Sequence, residues 1–533
     1  MLEWPETLWS YPMPPKNARR FLPVLILAVF GPGIPVTWAA PPPPPPPLSP
    51  PLHARSVATR HAVTVDGRKI RYTATAGFLV LRNPAGQPTA RMFYIAYRKD
   101  GVRDESRRPI TFAYNGGPGG ASVLVDFGGF GPRRIVWPHP GSVHGTRPPY
   151  RIVPNPDTLL GATDLVFVDA VGTGLSRILH PAGSPRMFYG INADARAFRG
   201  FIAEYLTRAR RWNSPKFLLG ESYGTTRSAV LADDLARHGI DLNGVIMCST
   251  VLDFPTVAFA PGNDLPYIFY LPSYAAVAWY HHRLHPEPKN LMAWVHEVEH
   301  FAEGPYAEAL FQGSTLPPAR LDQLATVLAR DTGLPAHLWR QADLRISLPV
   351  FQKRLLGRVK RTVGRFDGRF SMPELEPLLP IPGTTSAGAA TSAIMGALTA
   401  SFNNYLETRL DYVSHLHYRQ LDFKVNAAWR WTYTPPVESL TGGGQFYTNV
   451  APALARAMLN DPGLRVLFNN GYFDMATPFF ATLYTVHHMG LPPAVLRRIE
   501  FRYYPSGHML YLNPKALPLL QAHIGHFIER ASR

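Results

Sequence analysis

Cysteine is nearly missing from this sequence: Cys248, in the apolar run GVIMCST, is the single one. No intramolecular disulfide can form, and zinc sites built on Cys clusters are excluded, as is a Cys-rich secreted scaffold. Cys248 itself reads as a small core residue of a buried strand. Metal-ligand patterns are equally scarce. HEVEH at 296–300, with His296 and His300 four apart, is the nearest approach and reads as an exposed helix face, so neither metal nor other cofactor is expected. Acidic residues are few, and the net charge of +17 raises the question of nucleic acid. The basic residues are mostly scattered Arg, however. The densest patch, RVKRTVGR at 358–365, reads as a solvated helix face, and no nucleic-acid partner is expected.

An apolar run long enough to span a bilayer is also lacking near the N-terminus. Lys16, Arg19 and Arg20 precede FLPVLILAVF, and then Gly31, Pro32, Gly33 and Pro35 interrupt the run. A positive start, a short apolar stretch and small residues at Ala39 and Ala40 predict a signal peptide over 1–40 and a periplasmic or secreted product without stable membrane insertion; the alternative is an N-terminal membrane anchor. Pro41 to Pro47 open a Pro-rich linker, 41–55, that stands outside the fold as a stiff spacer. No internal repeat is present.

The folded part begins near residue 56. HAVTV and KIRYTATAGFLVL, joined by Asp66-Gly67, read as a hairpin. DLVFVDA, KFLLGE, GVIMCS, RVLFNN and IEFRYY are short apolar strands without alternation. They predict a mostly parallel central sheet buried on both faces by helices. Residues 255–440 break that rhythm with helical, Pro-rich and aromatic segments. They are expected to form a helical cap inserted between two halves of one catalytic domain, 56–254 and 441–533.

In LLGESYGTT, Ser222 stands between Gly220 and Gly224. KFLLG is a strand and TTRSAVLADDLARHG a helix, so Ser222 falls on a strand-to-helix turn. There a Ser is pushed outward on a tight bend and the helix N-terminus favours negative charge. A Ser nucleophile needs a base, and the base an orienting acid. Asp474 follows the strand RVLFNN, and His508 follows the last long strand. Asp169 also ends a strand but precedes Ser222, so it is the weaker acid. His487 and His488 lie within a helical pattern and are poorer bases. The glycines of FAYNGGPGG, 112–120, offer backbone N–H groups for an oxyanion.

NGGPGGAS (115–122), DLVFVDAVGTGLS (164–176), GESYG (220–224), NNGYFDMATP (469–478) and SGHM (506–509) together resemble the serine carboxypeptidase family, the S10 peptidases. The resemblance implies an α/β-hydrolase fold, with Ser222 as nucleophile, His508 as base and Asp474 as orienting acid. It implies an oxyanion hole from the N–H groups of Gly117 and Tyr223. Asn115, Gly116 and Glu221 would then hold the terminal carboxylate of a peptide with a free C-terminus. The family often has a Trp two residues before the Asn; here Ala113 stands there. TTRSAV replaces the usual Gly-rich continuation, and the cap matches least, which suggests a divergent, bacterial-type branch. Two other readings remain open: an esterase or acyltransferase using the same triad, and a binding protein on a hydrolase scaffold. Asn115 and Glu221 favour the peptidase, because a plain esterase needs no carboxylate clamp.

Overall fold

The computed structural model describes residues 56–137, 147–374, 388–436 and 447–533. The expected export segment, the linker and the expected boundary at 440/441 lie outside the described residues. β1 (Ser56–Val65) and β2 (Arg68–Arg82) form the hairpin expected at Asp66-Gly67. Those two residues have φ of 48° and 73°. Two successive left-handed residues give a turn whose twist matches that of its strands, and Asp-Gly adopts it at low cost.

β3 (Pro88–Lys99) pairs back on β2, and six strands complete the sheet: β4 (Ile110–Tyr114), β5 (Asp164–Val168), β6 (Lys216–Glu221), β7 (Gly244–Cys248), β8 (Arg465–Gly471) and β9 (Ile499–Tyr504). The spatial order is β1-β2-β3-β5-β4-β6-β7-β8-β9, and the two-residue strand Arg177–Ile178 adds to β3 as a tenth. Neighbours from β1 to β5 are antiparallel, and from β5 to β9 they are parallel. The sheet is thus mixed. Its parallel half consists of the strands whose apolar runs do not alternate, and β4, β5 and β7 are buried at every residue. IEFRYY departs from that expectation. As β9 it is the sheet's edge, and five of its six residues are only half-buried.

Helices cover both faces. Along β6, Phe217 and Leu219 pack with Phe527 and Ile528 of the C-terminal helix, while Leu218 packs on the other side with Phe198 and Leu231. Those two belong to α1 (Ile191–Ala209) and α2 (Tyr223–Ala236). The period of two in the strand sorts its side chains between two cores. Each such Leu or Phe contributes about 1.5–3 kcal/mol by leaving water.

Between β7 and β8 run α3 (Leu265–Tyr280), α4 (Leu291–Phe301), α5 (Pro318–Thr332) and α6 (Gly388–Thr408). The first three build a third core around Tyr274, Val277, Trp294 and Leu328, which takes in Tyr472, Phe473 and Met475 from the loop after β8. Phe402 and Tyr405 of α6 join the core of the sheet instead. His296, Glu297 and His300 of HEVEH lie exposed on α4, while Val298 is buried in the third core. HEVEH spells out H-E-x-x-H, but Glu297 turns to Arg330, 3.6 Å away, and no group of three metal-ligating side chains forms among the described residues. RVKRTVGR is not the expected helix face. Its Arg361–Val363 stretch is a strand paired with Ser371–Pro373, and Arg361 donates to Ser371. Local charge density says nothing of a pairing partner that lies beyond a turn.

Candidate active site

Ser222 follows β6 directly and precedes the first residue of α2. Its φ of 61° lies in the left-handed region, where a non-glycine residue is strained. The strain is held from both sides. The Ser222 N–H donates to the Cys248 carbonyl at the end of β7 (3.0 Å), and the Ser222 carbonyl accepts from the Thr225 N–H (2.8 Å). The bend also demands small neighbours: a Cβ on Gly220 would sit 2.3 Å from the Gly224 carbonyl oxygen, and one on Gly116 2.4 Å from the Tyr223 nitrogen.

Asp474 lies in the loop after β8, fully buried, and His508 in the loop after β9, 3 % exposed. Asp474 Oδ1 accepts from the N–H groups of Ala476 (2.7 Å) and Thr477 (3.0 Å). Its Oδ2 accepts from the Thr477 hydroxyl (2.7 Å) and from His508 Nδ1 (2.8 Å). With Nδ1 engaged, the other ring nitrogen of His508 is left as the acceptor. Ser222 and His508 line one cavity of about 530 Å³, and no hydrogen bond joins their side chains. Burial alone would lower the His508 pKa; the Asp474 charge, its hydrogen bond and the Glu221 charge outweigh it, and the pKa is raised above 6.5. A further tie comes from the insertion: the His508 N–H donates to the Phe366 carbonyl (2.6 Å), and the two rings lie 5.1 Å apart.

Tyr223 is the first residue of α2, so its N–H is one of the orphan donors of a helix start. Gly117, on the loop after β4, lines the cavity beside it. The Tyr223 ring is held edge-on by Trp429 and Trp431, with centroids 5.3 and 5.8 Å away. Glu221, at the end of β6, is buried against the cavity; its Oε1 accepts from Asn115 Nδ2 (2.7 Å) and the Tyr511 hydroxyl (3.2 Å). Glu221 Oε2 is buried with no partner. Burial pushes the Glu221 pKa up to about 7, against the pull of His508, Tyr511 and Asn115, and Asp474 adds to the rise.

The residues singled out in four of the five motifs thus meet at the C-terminal ends of β4, β6, β8 and β9. Asp169 does not join them. It accepts from the Ser122 N–H (2.8 Å) and the Tyr418 hydroxyl (3.1 Å), and burial pushes its pKa up to about 6. Ala113 is fully buried in the sheet's core and lies off the cavity, whose aromatic wall includes Trp431 and Phe254. Sequence reasoning missed Thr477, Tyr511 and Arg227. The first two stand inside or just after quoted motifs, three residues past Asp474 and His508. Arg227, one turn into α2, was noticed only as a departure from a Gly-rich continuation. Buried to 1 %, it pairs with Asp194 (2.7 Å), donates to the Asn115 carbonyl (2.7 Å) and lies over the rings of Tyr114, Phe198 and Tyr223.

Residues 67–255 match the model of a family described as serine carboxypeptidase. No curated protein matches the chain. Among solved structures, the chain is similar to Kex1(delta)p, a prohormone-processing carboxypeptidase from Saccharomyces cerevisiae. The identity is 14%, the TM-score 0.53, and 86% of this chain and 92% of that chain are covered. A lipase in its open form matches at 12% identity and TM-score 0.32, over 86% of this chain and 99% of that one. Brefeldin A esterase, a bacterial homologue of human hormone sensitive lipase, matches at 11% identity and TM-score 0.34, over 86% and 78%. The fold is that of the α/β-hydrolases.

Proposed function

We propose that this chain, whose residues 67–255 match the serine carboxypeptidase model, releases C-terminal residues from peptides through Ser222, His508 and Asp474. Ser222 Oγ attacks the scissile carbonyl carbon while the free ring nitrogen of His508 takes the hydroxyl proton. Asp474 holds the ring by Nδ1 and stabilises the imidazolium. The N–H groups of Gly117 and Tyr223 stabilise the oxyanion. His508 then protonates the leaving amine as the C–N bond breaks, which leaves an acyl-enzyme on Ser222. Water, deprotonated by His508, attacks the ester, and the acid product leaves with Ser222 restored.

The observation that carries the peptidase reading is the Asn115–Glu221 pair beside Ser222, with Glu221 Oε2 buried and unpartnered. A carboxyl that still carries its proton near neutrality can share it with a peptide's terminal carboxylate. Asn115 and the backbone of Gly116 complete that clamp. The second reading, an esterase or acyltransferase, keeps the triad and leaves the pair without a role. Export of the chain, with residues 1–40 removed, belongs to the same proposal; among the described residues no helix is long and apolar enough to cross a membrane. The deciding assay compares blocked dipeptides with free and amidated C-termini and simple esters, with wild type and Ser222→Ala. Faster cleavage of the free acids, lost in Ser222→Ala, is expected. Equal cleavage of amides, or cleavage of esters alone, overturns the carboxypeptidase reading.

A further inference from the structure

Arg365 reaches the same cavity from the insertion. It follows the strand Arg361–Val363 and Gly364, and its backbone is tied to the loops beneath it. The Arg365 carbonyl accepts from the Met475 N–H (3.0 Å), one residue past Asp474, and the next carbonyl, that of Phe366, accepts from His508 (2.6 Å). Its position is therefore set by main-chain bonds, and the side chain is left over. That side chain lines the cavity and, among the described residues, makes no hydrogen bond or ion pair; its Nε is buried without a partner. The guanidinium carbon lies 5.8 Å from the centre of the Phe366 ring.

The other charged groups lining the cavity are all engaged. Glu221 is bonded to Asn115 and Tyr511, and His508 to Asp474. Asp422 accepts from the Lys424 N–H (2.9 Å) and Arg419 (3.1 Å). Of the described charged residues lining the cavity, Arg365 alone lacks an opposite charge, among apolar walls that include Val251, Ile394 and Leu421. A cation held half-buried without a partner is costly, and the cost is recovered when a ligand brings the anion. Apolar walls strengthen that pair, and the planar guanidinium fork matches a carboxylate.

We propose that Arg365 is a specificity-determining residue that pairs with an acidic side chain of the substrate next to the scissile bond. The inference rests on the peptidase reading, in which the terminal carboxylate is already taken by Asn115, Gly116 and Glu221. A second carboxylate, on a side chain, is then the anion left for Arg365.

The test uses blocked dipeptides with Glu or Gln on either side of the scissile bond. Wild type is expected to favour Glu over Gln in kcat/KM by about tenfold to a hundredfold at one of the two positions, the worth of a hydrogen-bonded charge pair. Arg365→Gln brings that ratio to about one while neutral peptides are cleaved as before. Arg365→Glu shifts the preference at that position to Lys, a gain that a misfolded variant does not show. A Glu/Gln ratio untouched by Arg365→Gln overturns the proposal. So does a loss shared by all free-acid peptides and absent from amidated ones, which would give Arg365 the terminal carboxylate instead. Dissociation constants for the same peptides, measured with Ser222→Ala and Ser222→Ala/Arg365→Gln, repeat the comparison without turnover. Arg365 is thus judged even if wild type cleaves no peptide, an outcome that sinks the peptidase reading alone.

Discussion

Asn115 and Glu221, 106 residues apart in the chain, are joined by a 2.7 Å hydrogen bond at the ends of the neighbouring strands β4 and β6. The bond leaves Glu221 beside Ser222 with one oxygen unpartnered and, through burial, a pKa of about 7. As pH rises through that value the Glu221 proton is lost, and a peptide's terminal carboxylate then meets a second carboxylate. His508, whose pKa is raised above 6.5, must lose its proton to act as base, which sets the acid limb. Peptide cleavage should therefore show a narrow bell in kcat/KM around neutrality. Glu221→Gln should extend it toward higher pH, since an amide does not titrate. Amidated substrates should lack the Glu221 limb. Four profiles, two enzymes against free and amidated peptide, check this; a shared alkaline limb would rule out the clamp.

Asp474 receives three hydrogen bonds from its own loop and holds His508 by a fourth, so its removal should act on catalysis more than on folding. Asp474→Asn, Ser222→Ala and His508→Ala are each expected to lower kcat by about a thousandfold or more, and the double variants by little further. Steady-state kinetics on chains with unchanged circular dichroism are the measurement. Near-normal turnover in Ser222→Ala would remove it as nucleophile.

The Arg227–Asp194 pair is buried, and Arg227 also supports Asn115 and Tyr223. Arg227→Met leaves Asp194 charged and alone, which should cost about 3–5 kcal/mol in denaturant unfolding. Asp194→Asn in the same chain should return part of that loss. Full stability of the single variant would show that the pair is not what holds the second turn of α2.

Gly220 faces the Gly224 carbonyl across the turn, at a distance no side chain tolerates. Gly220→Ala should distort the turn and abolish labelling of Ser222 by a fluorophosphonate probe. Labelling at the wild-type rate would mean that the turn relaxes without moving the nucleophile.

Where the sequence reading went astray, the missing information was spatial. IEFRYY reads as a strand like the buried ones, yet lies half-exposed because among the described residues no strand pairs beyond it. RVKRTVGR looks like a charged helix face, yet one of its arginines stands in the cavity without a counter-ion, because the following turn folds Ser371–Pro373 against it.

The strand-to-helix turn at Ser222 was legible because its causes are local: an apolar run, glycines two residues to either side, and a helical stretch after it. The Asp66-Gly67 hairpin was legible for the same reason. Sequence order also marked Asp474 and His508 as residues that close late strands. Their meeting is a different matter. It depends on β8 pairing with β7 and β9 with β8 in the sheet, on the insertion's Phe366 carbonyl holding His508, and on the loop after β8 being buried in the insertion's core. The same packing decided that Glu221 holds its proton toward neutrality: burial raises its pKa against only two hydrogen bonds, from Asn115 and Tyr511. Burial and donor count belong to the folded chain, and no run of residues spells them out.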